Sequence, residues 1–214
     1  GMKSCPESTA LVILTVQLYE TTQGVSKARS LIELARLKSP ANDLLWLETI
    51  RLERRNKNEK LAETLMARAL QECPNSGILW AEELLTCPKT SQKSKSIDAL
   101  KKCNDDPFVI TAVARLFERD RKIPKARKWF NRAVTLNPDL GDAWAHYYAF
   151  EIKASGPTAP ETLNVLQQCV AADPRHGELW CSVSKQTANR RLDTATLLKK
   201  LTVEKIMKID EEAK

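Results

Sequence analysis

Apolar residues recur at helical spacing along nearly the whole chain, and the helices they predict fall into pairs. The predicted pairs span 8–22 and 26–38, 43–56 and 59–73, 76–86 and 94–103, 107–121 and 124–136, 142–154 and 160–172, then 177–189 and 193–208. Prolines at positions 40, 74, 107, 138 and 174 punctuate them at intervals of 34, 33, 31 and 36 residues. Six residues after four of these stands a tryptophan: Trp46, Trp80, Trp144 and Trp180. Val113 holds that place after Pro107, and Ile13 holds it in the first pair. A period in the thirties, with an aromatic fixed relative to a helix stop, marks a helical-repeat solenoid.

Smaller features repeat with the same period. Counting back twelve from three of the prolines gives Ala28, Ala62 and Ala126; counting back five gives Ala35, Ala69 and Ala133. Positions seven apart share a helix face, so these alanines predict a close-packed seam along each second helix. The third repeat has Lys95 and Lys102 there, so Ala99 and Cys103 are expected to take over. Proline denies the next turn a donor, and Asn42 or Asp43, Asn75 or Ser76, and Asp139 or Asp142 are placed to cap the helix that follows. Two polar connections, 87–96 and 154–160, read as loops inside the third and fifth pairs. Each indole should be buried between neighbouring repeats, so that the stack is cooperative.

The expected fold is therefore all-α: a right-handed superhelical solenoid of about six antiparallel helix pairs. Its repeats fall at about 8–40, 41–74, 75–107, 108–138, 139–174 and 175–208. Residues 1–7 read as a tag remnant and disordered lead, since Gly1 precedes Met2; residues 8–214 read as one solenoid cut from a longer chain. The acidic end, DEEAK, is expected to fray.

Composition narrows the chemistry. Only six glycines accompany abundant Leu, Ala, Lys, Glu and Arg, as in all-helical proteins. No window is long and apolar enough for a membrane span. The most apolar stretch, 9–19, reads as a buried helix at the edge of the stack. Six cysteines lie without a C-x-x-C pair and with only two histidines, so reduced, packed thiols are expected rather than a metal site. No phosphate-binding glycine loop and no nucleophile motif occurs. His146 and His176 read as structural, and Asp105 and Asp106 as turn and cap residues. The reading is a non-enzyme with no cofactor and no metal.

The Pro–Trp and Ala spacings are shared with tetratricopeptide repeats, but those want a small residue four places after the Trp. Here Ile50, Leu84, Tyr148 and Ser184 stand there. A glutamate comes seven after the Trp instead, at Glu53 and Glu151, and WAHYYAFE carries the pattern in full. That pattern resembles the half-a-tetratricopeptide (HAT) repeat; Cys87, Val113 with Asp120, and Thr187 depart from it. The strings LLWLETIRLERR, SGILWAEELL, DALKKCNDDP, NPDLGDAWAHYYAFE and PRHGELWCSVSK further resemble the carboxy-terminal HAT region of the pre-mRNA-processing factor six family. The resemblance implies a nuclear scaffold that bridges components of the spliceosomal tri-snRNP through other splicing proteins. It implies no catalytic residues.

The formal net charge is +7 and the isoelectric point is near 9.1, with the excess between Arg51 and Arg132. If tetratricopeptide geometry holds, positions five, eight and nine after the anchor face the inner curve. That makes Arg51, Arg54 and Arg55, then Arg121 and Lys122, and later Lys153 and Lys185, a candidate basic groove for an acidic or phosphorylated partner segment. Long cationic side chains also serve simply to solvate a helix face. Two alternatives stay open: a solenoid that binds RNA directly, and a scaffold that pairs with a second copy of itself.

Overall fold

A computed structural model describes residues 8–208 of the 214. The expectations about residues 1–7 and the acidic end lie outside the described residues. The chain divides into two compact units, residues 1–92 and 93–214.

The first unit begins with α1 (Thr9–Thr22) and α2 (Val25–Lys38), then α3 (Asp43–Arg55), α4 (Glu59–Glu72) and α5 (Gly77–Thr86). The sixth helix, α6 (Lys89–Lys102), runs through the division. The second unit continues with α7 (Pro107–Arg119), α8 (Ile123–Leu136), α9 (Gly141–Ser155), α10 (Pro160–Ala172) and α11 (Glu178–Ser184). A short 3-10 turn, Thr187–Asn189, leads to α12 (Thr194–Leu201), which widens into a π-helical stretch, Thr202–Met207. All is helix and turn among the described residues, apart from one isolated bridge between Leu140 and His176.

Two apolar clusters fill the first unit. Val12, Val16, Ala28, Ile32, Leu45 and Leu52 form one; Trp46, Ile50, Ala62, Met66, Ala69 and Leu79 belong to the other. The second unit has a single larger core around Phe130, Trp144, Tyr147, Phe150 and Trp180. The alanine seam is real: Ala28, Ala62, Ala69, Ala126 and Ala133 are wholly buried. Ala35 is half-buried. Ala99 and Cys103 are buried in the third repeat, as the register shift required.

The six-residue spacing between proline and tryptophan has a direct cause. The indole N–H of Trp46 donates to the Pro40 carbonyl at 2.7 Å, that of Trp80 to Pro74 at 2.9 Å, and that of Trp144 to Pro138 at 2.8 Å. A ring buried at a repeat junction must place its single donor somewhere, and the carbonyl of the stopping proline receives it. Trp180 is buried by a closer approach: a Cβ on Gly141 would lie 2.3 Å from its ring.

Several expectations are corrected. Residues 89–96 are helical rather than loop: α6 starts directly after Pro88, which ends one helix and whose carbonyl accepts from Ser91 N–H at 3.0 Å in the next. The Lys and Gln of that run are good helix formers, so polarity misled the assignment. Trp80 is half-exposed, and Leu79 and Leu84 fill the core of its repeat instead. The apolar first helix is buried only along Val12 and Val16; Leu14 and Leu18 face outward. The sixth pair is shorter and broken by the 3-10 turn.

Capping follows the expected residues except at α9, which neither Asp139 nor Asp142 caps; the Asp139 carboxylate accepts from the Arg175 N–H at 2.7 Å instead. Asn42 accepts from Leu45 N–H at 3.2 Å, Ser76 from Leu79 N–H at 3.5 Å, and Asp106 from Phe108 N–H at 2.9 Å. Asp142 does not cap its own helix. Its carboxylate accepts from the N–H groups of Leu179 (3.2 Å) and Trp180 (2.7 Å), and so caps α11 from the repeat before it.

Candidate partner-binding surface

The charged side chains form a repeated set of junction contacts. Arg29, which directly follows the seam alanine Ala28, grips Glu53 with two hydrogen bonds of 2.6 and 2.7 Å. Arg127, which directly follows Ala126, grips Glu151 in the same way at 2.6 and 2.8 Å. Both glutamates are the ones seven residues after a Trp, and both carboxylates are buried. Such a fork-to-fork pair is the strong form of an ion pair. The Arg29 guanidinium, with Asn58 adding a 2.9 Å bond, holds the Glu53 carboxyl below its ordinary range, and the pairing raises the Arg29 and Arg127 guanidinium values.

A second contact repeats beside the first. Arg55 binds Glu20 at 2.7 Å, and Lys153 binds Glu118 at 3.1 Å. Each pair spans 35 residues, and Glu20 and Glu118 correspond under the shift of 98 that carries Trp46 to Trp144. Neither Arg29, Arg127 nor the acceptors Glu20 and Glu118 was singled out from sequence, although each arginine stands next to a seam alanine.

Of the seven cations proposed for a groove, three lie together on α3. Arg51 and Arg54 share Glu82, at 3.0 and 2.9 Å; Arg54 also donates to the Thr86 hydroxyl. Arg55 divides itself between Glu20 and Glu48. Three guanidiniums thus meet three carboxylates. Arg121 and Lys122 do not extend this row onto a helix face. The turn after α7 superimposes in register on the turn after α3: Lys57 and Arg121 both have positive φ, at 61° and 57°. Their hydrogen bonds also match, Lys57 to Arg54 and Arg121 to Glu118. Trp46 therefore corresponds to Ile110 rather than Val113, because Pro107 occupies the first turn of α7 instead of preceding it. The residues equivalent to Arg51, Arg54 and Arg55 are Arg115, Glu118 and Arg119. Lys122 pairs with Asp120 at 2.8 Å, and Lys185 is exposed just after α11.

The net charge is concentrated in one stretch. Residues 93–132 hold twelve Lys and Arg against five Asp and Glu, a surplus equal to the +7 of the whole chain. Two half-buried aromatics, Phe117 and Trp129, lie there with ring centroids 6.1 Å apart. Lys122 sits over the first at 5.9 Å and Arg132 over the second at 5.6 Å.

Cys73, Cys87, Cys103 and Cys169 are buried packing groups, whereas His176 is an exposed bridging residue. His176 meets Asp139 through Nδ1, while its backbone exchanges hydrogen bonds with Asp139 and Gly141. Burial, helped by Arg115 and Lys153, pushes the His146 imidazole well below its ordinary value. Desolvation raises Cys103 to about 11 and Cys169 to about 12. Among the described residues no group of three or more His, Cys, Asp or Glu is placed to hold a metal ion, and no helix is long and apolar enough to cross a membrane.

The chain is 37% identical over 198 residues to Pre-mRNA-splicing factor prp1 of Schizosaccharomyces pombe, covering 92% of this chain and 22% of that protein. It is 52% identical over 101 residues to Pre-mRNA-processing factor 6 of Homo sapiens, covering 47% of this chain and 10% of that protein. The chain is a homologue of the factor 6 and Prp1 proteins. It spans about a fifth or less of the length of these curated relatives. No family model matches it. The crystal structure of PilW, a type IV pilus biogenesis factor, matches with a TM-score of 0.53 at 15% identity, over 90% of this chain and 89% of that one. That likeness bears on the fold alone, and it agrees with an all-α helical-repeat architecture. The prp1 likeness covers both units, so the paired clamps at 29–53 and 127–151 both lie within it.

Proposed function

We propose that this chain is the helical-repeat section of a pre-mRNA splicing factor. In this reading it works in the nucleus as a non-enzymatic scaffold that bridges components of the tri-snRNP by holding other splicing proteins. The observation that carries the reading is the 37% identity to a splicing factor over 92% of the chain. Within each unit a fork from arginine to buried glutamate ties one repeat junction, which suits a framework for other proteins.

In this proposal the first unit contributes Arg51, Arg54 and Arg55 to partner contact, and the second unit, taken by itself, contributes Arg121, Lys122, Lys153 and Lys185. An acidic partner segment would share the α3 guanidiniums with Glu82, Glu20 and Glu48, since each fork has donors beyond those one carboxylate uses. The stretch 93–132, with its +7 surplus and cation-flanked aromatics, favours a second reading in which single-stranded RNA is bound there.

Capture from nuclear extract tests the first reading. The 214-residue chain should retain tri-snRNP proteins, and the Arg121→Glu/Lys122→Glu variant should retain fewer with an unchanged helical melt. Retention of no splicing protein removes the scaffold reading. Titration with a single-stranded RNA at several salt concentrations tests the second; useful affinity with a steep salt slope supports it.

A further inference from the structure

One arginine in the first unit stands apart from the ladder of paired charges. Arg36, in the last turn of α2, lies over the Trp46 indole with its guanidinium carbon 4.0 Å from the ring centroid. Arg68, from α4, approaches the same ring at 5.8 Å. The Nε and Nη1 atoms of Arg36 are shut from solvent and have no hydrogen-bond partner among the described residues. The guanidiniums of Arg29, Arg51, Arg54, Arg55 and Arg127 each face a carboxylate. Here two cations approach one indole, and no carboxylate lies within ion-pair distance of either among the described residues.

Packing alone does not call for this arrangement. The equivalent indole, Trp144, is held by the same proline carbonyl bond, and there the position of Arg36 is Val134. The seam residues Ala69 and Cys169 align α4 with α10, which places Gln168 at the position of Arg68. The second unit therefore buries its tryptophan without either cation. Desolvation, followed by repulsion from Arg68, lowers the Arg36 guanidinium value, and the Glu33 carboxylate offsets part of this. A guanidinium pair with no carboxylate in direct contact, Glu33 acting on Arg36 only from beyond ion-pair distance, is complementary to a tetrahedral dianion.

The residue best placed to carry such a group is three positions on. Ser39 is the exposed C-cap of α2, and its N–H still closes the helical ladder on Ala35 at 3.1 Å. Side chains three apart on a helix come within about 5–6 Å of each other. Ser39 directly precedes Pro40, whose carbonyl holds the Trp46 N–H, so its backbone adjoins the residue that anchors the indole. Lys38 adds a further cation. The negative end of the α2 dipole opposes an anion there, but as a partial charge against three full ones.

We propose that Arg36 and Arg68, seated on the Trp46 indole, form a receiving site for a phosphomonoester, and that phosphorylated Ser39 is its occupant in cis. The same chemistry could also arrive on a phosphorylated side chain of a partner. Occupation would lock the end of α2 onto α3 and α4, adding a charge-dependent control to the repeat corner beside the α3 arginine row.

The test uses the 214-residue chain with phosphoserine installed at position 39. The second ionisation of the phosphate, near 6 in a free phosphoserine, is read by phosphorus NMR in the folded protein and in urea. The folded value should lie about one unit lower, as for an anion beside cations at 4–6 Å. Arg68→Gln, at an exposed position, should bring it back toward the urea value. A parallel arm titrates Ser39→Ala with phenyl phosphate while following Trp fluorescence. Saturable binding that Arg68→Gln weakens at least several-fold supports the site and assigns its occupant to a partner. A phosphate ionisation equal in folded and unfolded chains, together with no phenyl phosphate binding to Ser39→Ala, overturns the proposal.

Discussion

Removing Arg29 should destabilise the first unit more than neutralising its partner Glu53, and the difference should depend on pH. Glu53 is 3% exposed and Arg29 is 40% exposed, so the two ends of the clamp fail differently. In Arg29→Met the carboxylate stays buried with only Asn58 as a side-chain donor. Breaking a fully buried pair from one side costs about 3–5 kcal/mol. Because water reaches the arginine end, about 2–3 kcal/mol is expected here. In Glu53→Gln the shape is kept and the arginine turns to water, so about 1–2 kcal/mol is expected. The paired Glu53 carboxyl ionises below its ordinary value of 4.5. Its contribution is therefore complete above that value and is lost as pH falls through the folded value. In Arg29→Met the unpaired carboxyl should ionise above its ordinary value, so protonation relieves the mutant. The gap between wild type and Arg29→Met should shrink from pH 7 toward pH 3.5. Urea unfolding followed by circular dichroism and by Trp fluorescence measures it, with coincidence of the two probes checked at each pH. Equal losses in the two variants at pH 7, or a gap that does not change with pH, would refute the buried-carboxylate account.

Three further outcomes follow from the packing. Gly141→Ala should destabilise the second unit by about 1–3 kcal/mol, because the new methyl meets the rigid face of Trp180; Trp emission and a thermal melt report it. Asp142→Ala should cost about 1–2 kcal/mol by uncapping α11. Burial raises the Asp142 carboxyl, so its ionised form opposes folding increasingly as pH rises past the ordinary value. Asp142→Asn should therefore fall well short of the alanine loss at pH 7, by the same melt. Thiol labelling at pH 8 should modify half-exposed Cys181 before Cys73, Cys103 and Cys169, all buried and raised in pKa; mass mapping of the labelled peptides checks the order.

The repeat architecture was legible because its determinants are local. A proline stop, an indole six residues on and alanines on one helix face each act within a single repeat, and each left a fixed spacing. Even the indole hydrogen bond, invisible as such, is what kept Pro40 and Trp46 six apart. The fourth repeat was misread by three residues because Pro107 has the right letter in a different role, at the first turn of α7. The turn geometry at Arg121 reveals the true register, and positive φ leaves no mark in a residue that is not glycine. The start of α6 was missed for a related reason: a run of Lys, Ser and Gln gives no apolar period to read.

Charge was the least legible property, and the reason bears on function. Counting cations on one helix face made Arg51, Arg54 and Arg55 look like a basic groove, whereas their partners Glu82 and Glu20 lie 28 to 35 residues away. Contacts at one repeat's distance cannot be assigned until the register is known. A partner that uses these arginines therefore meets an occupied ladder and gains only what its own carboxylates add beyond Glu82, Glu20 and Glu48. Arg36 and Arg68 offer the opposite case, two guanidiniums with no carboxylate in direct contact, Glu33 acting on Arg36 only from beyond ion-pair distance. Of two equal anions presented to the first unit, the one reaching Trp46 displaces less and should bind more tightly, although the α3 row carries more positive charge.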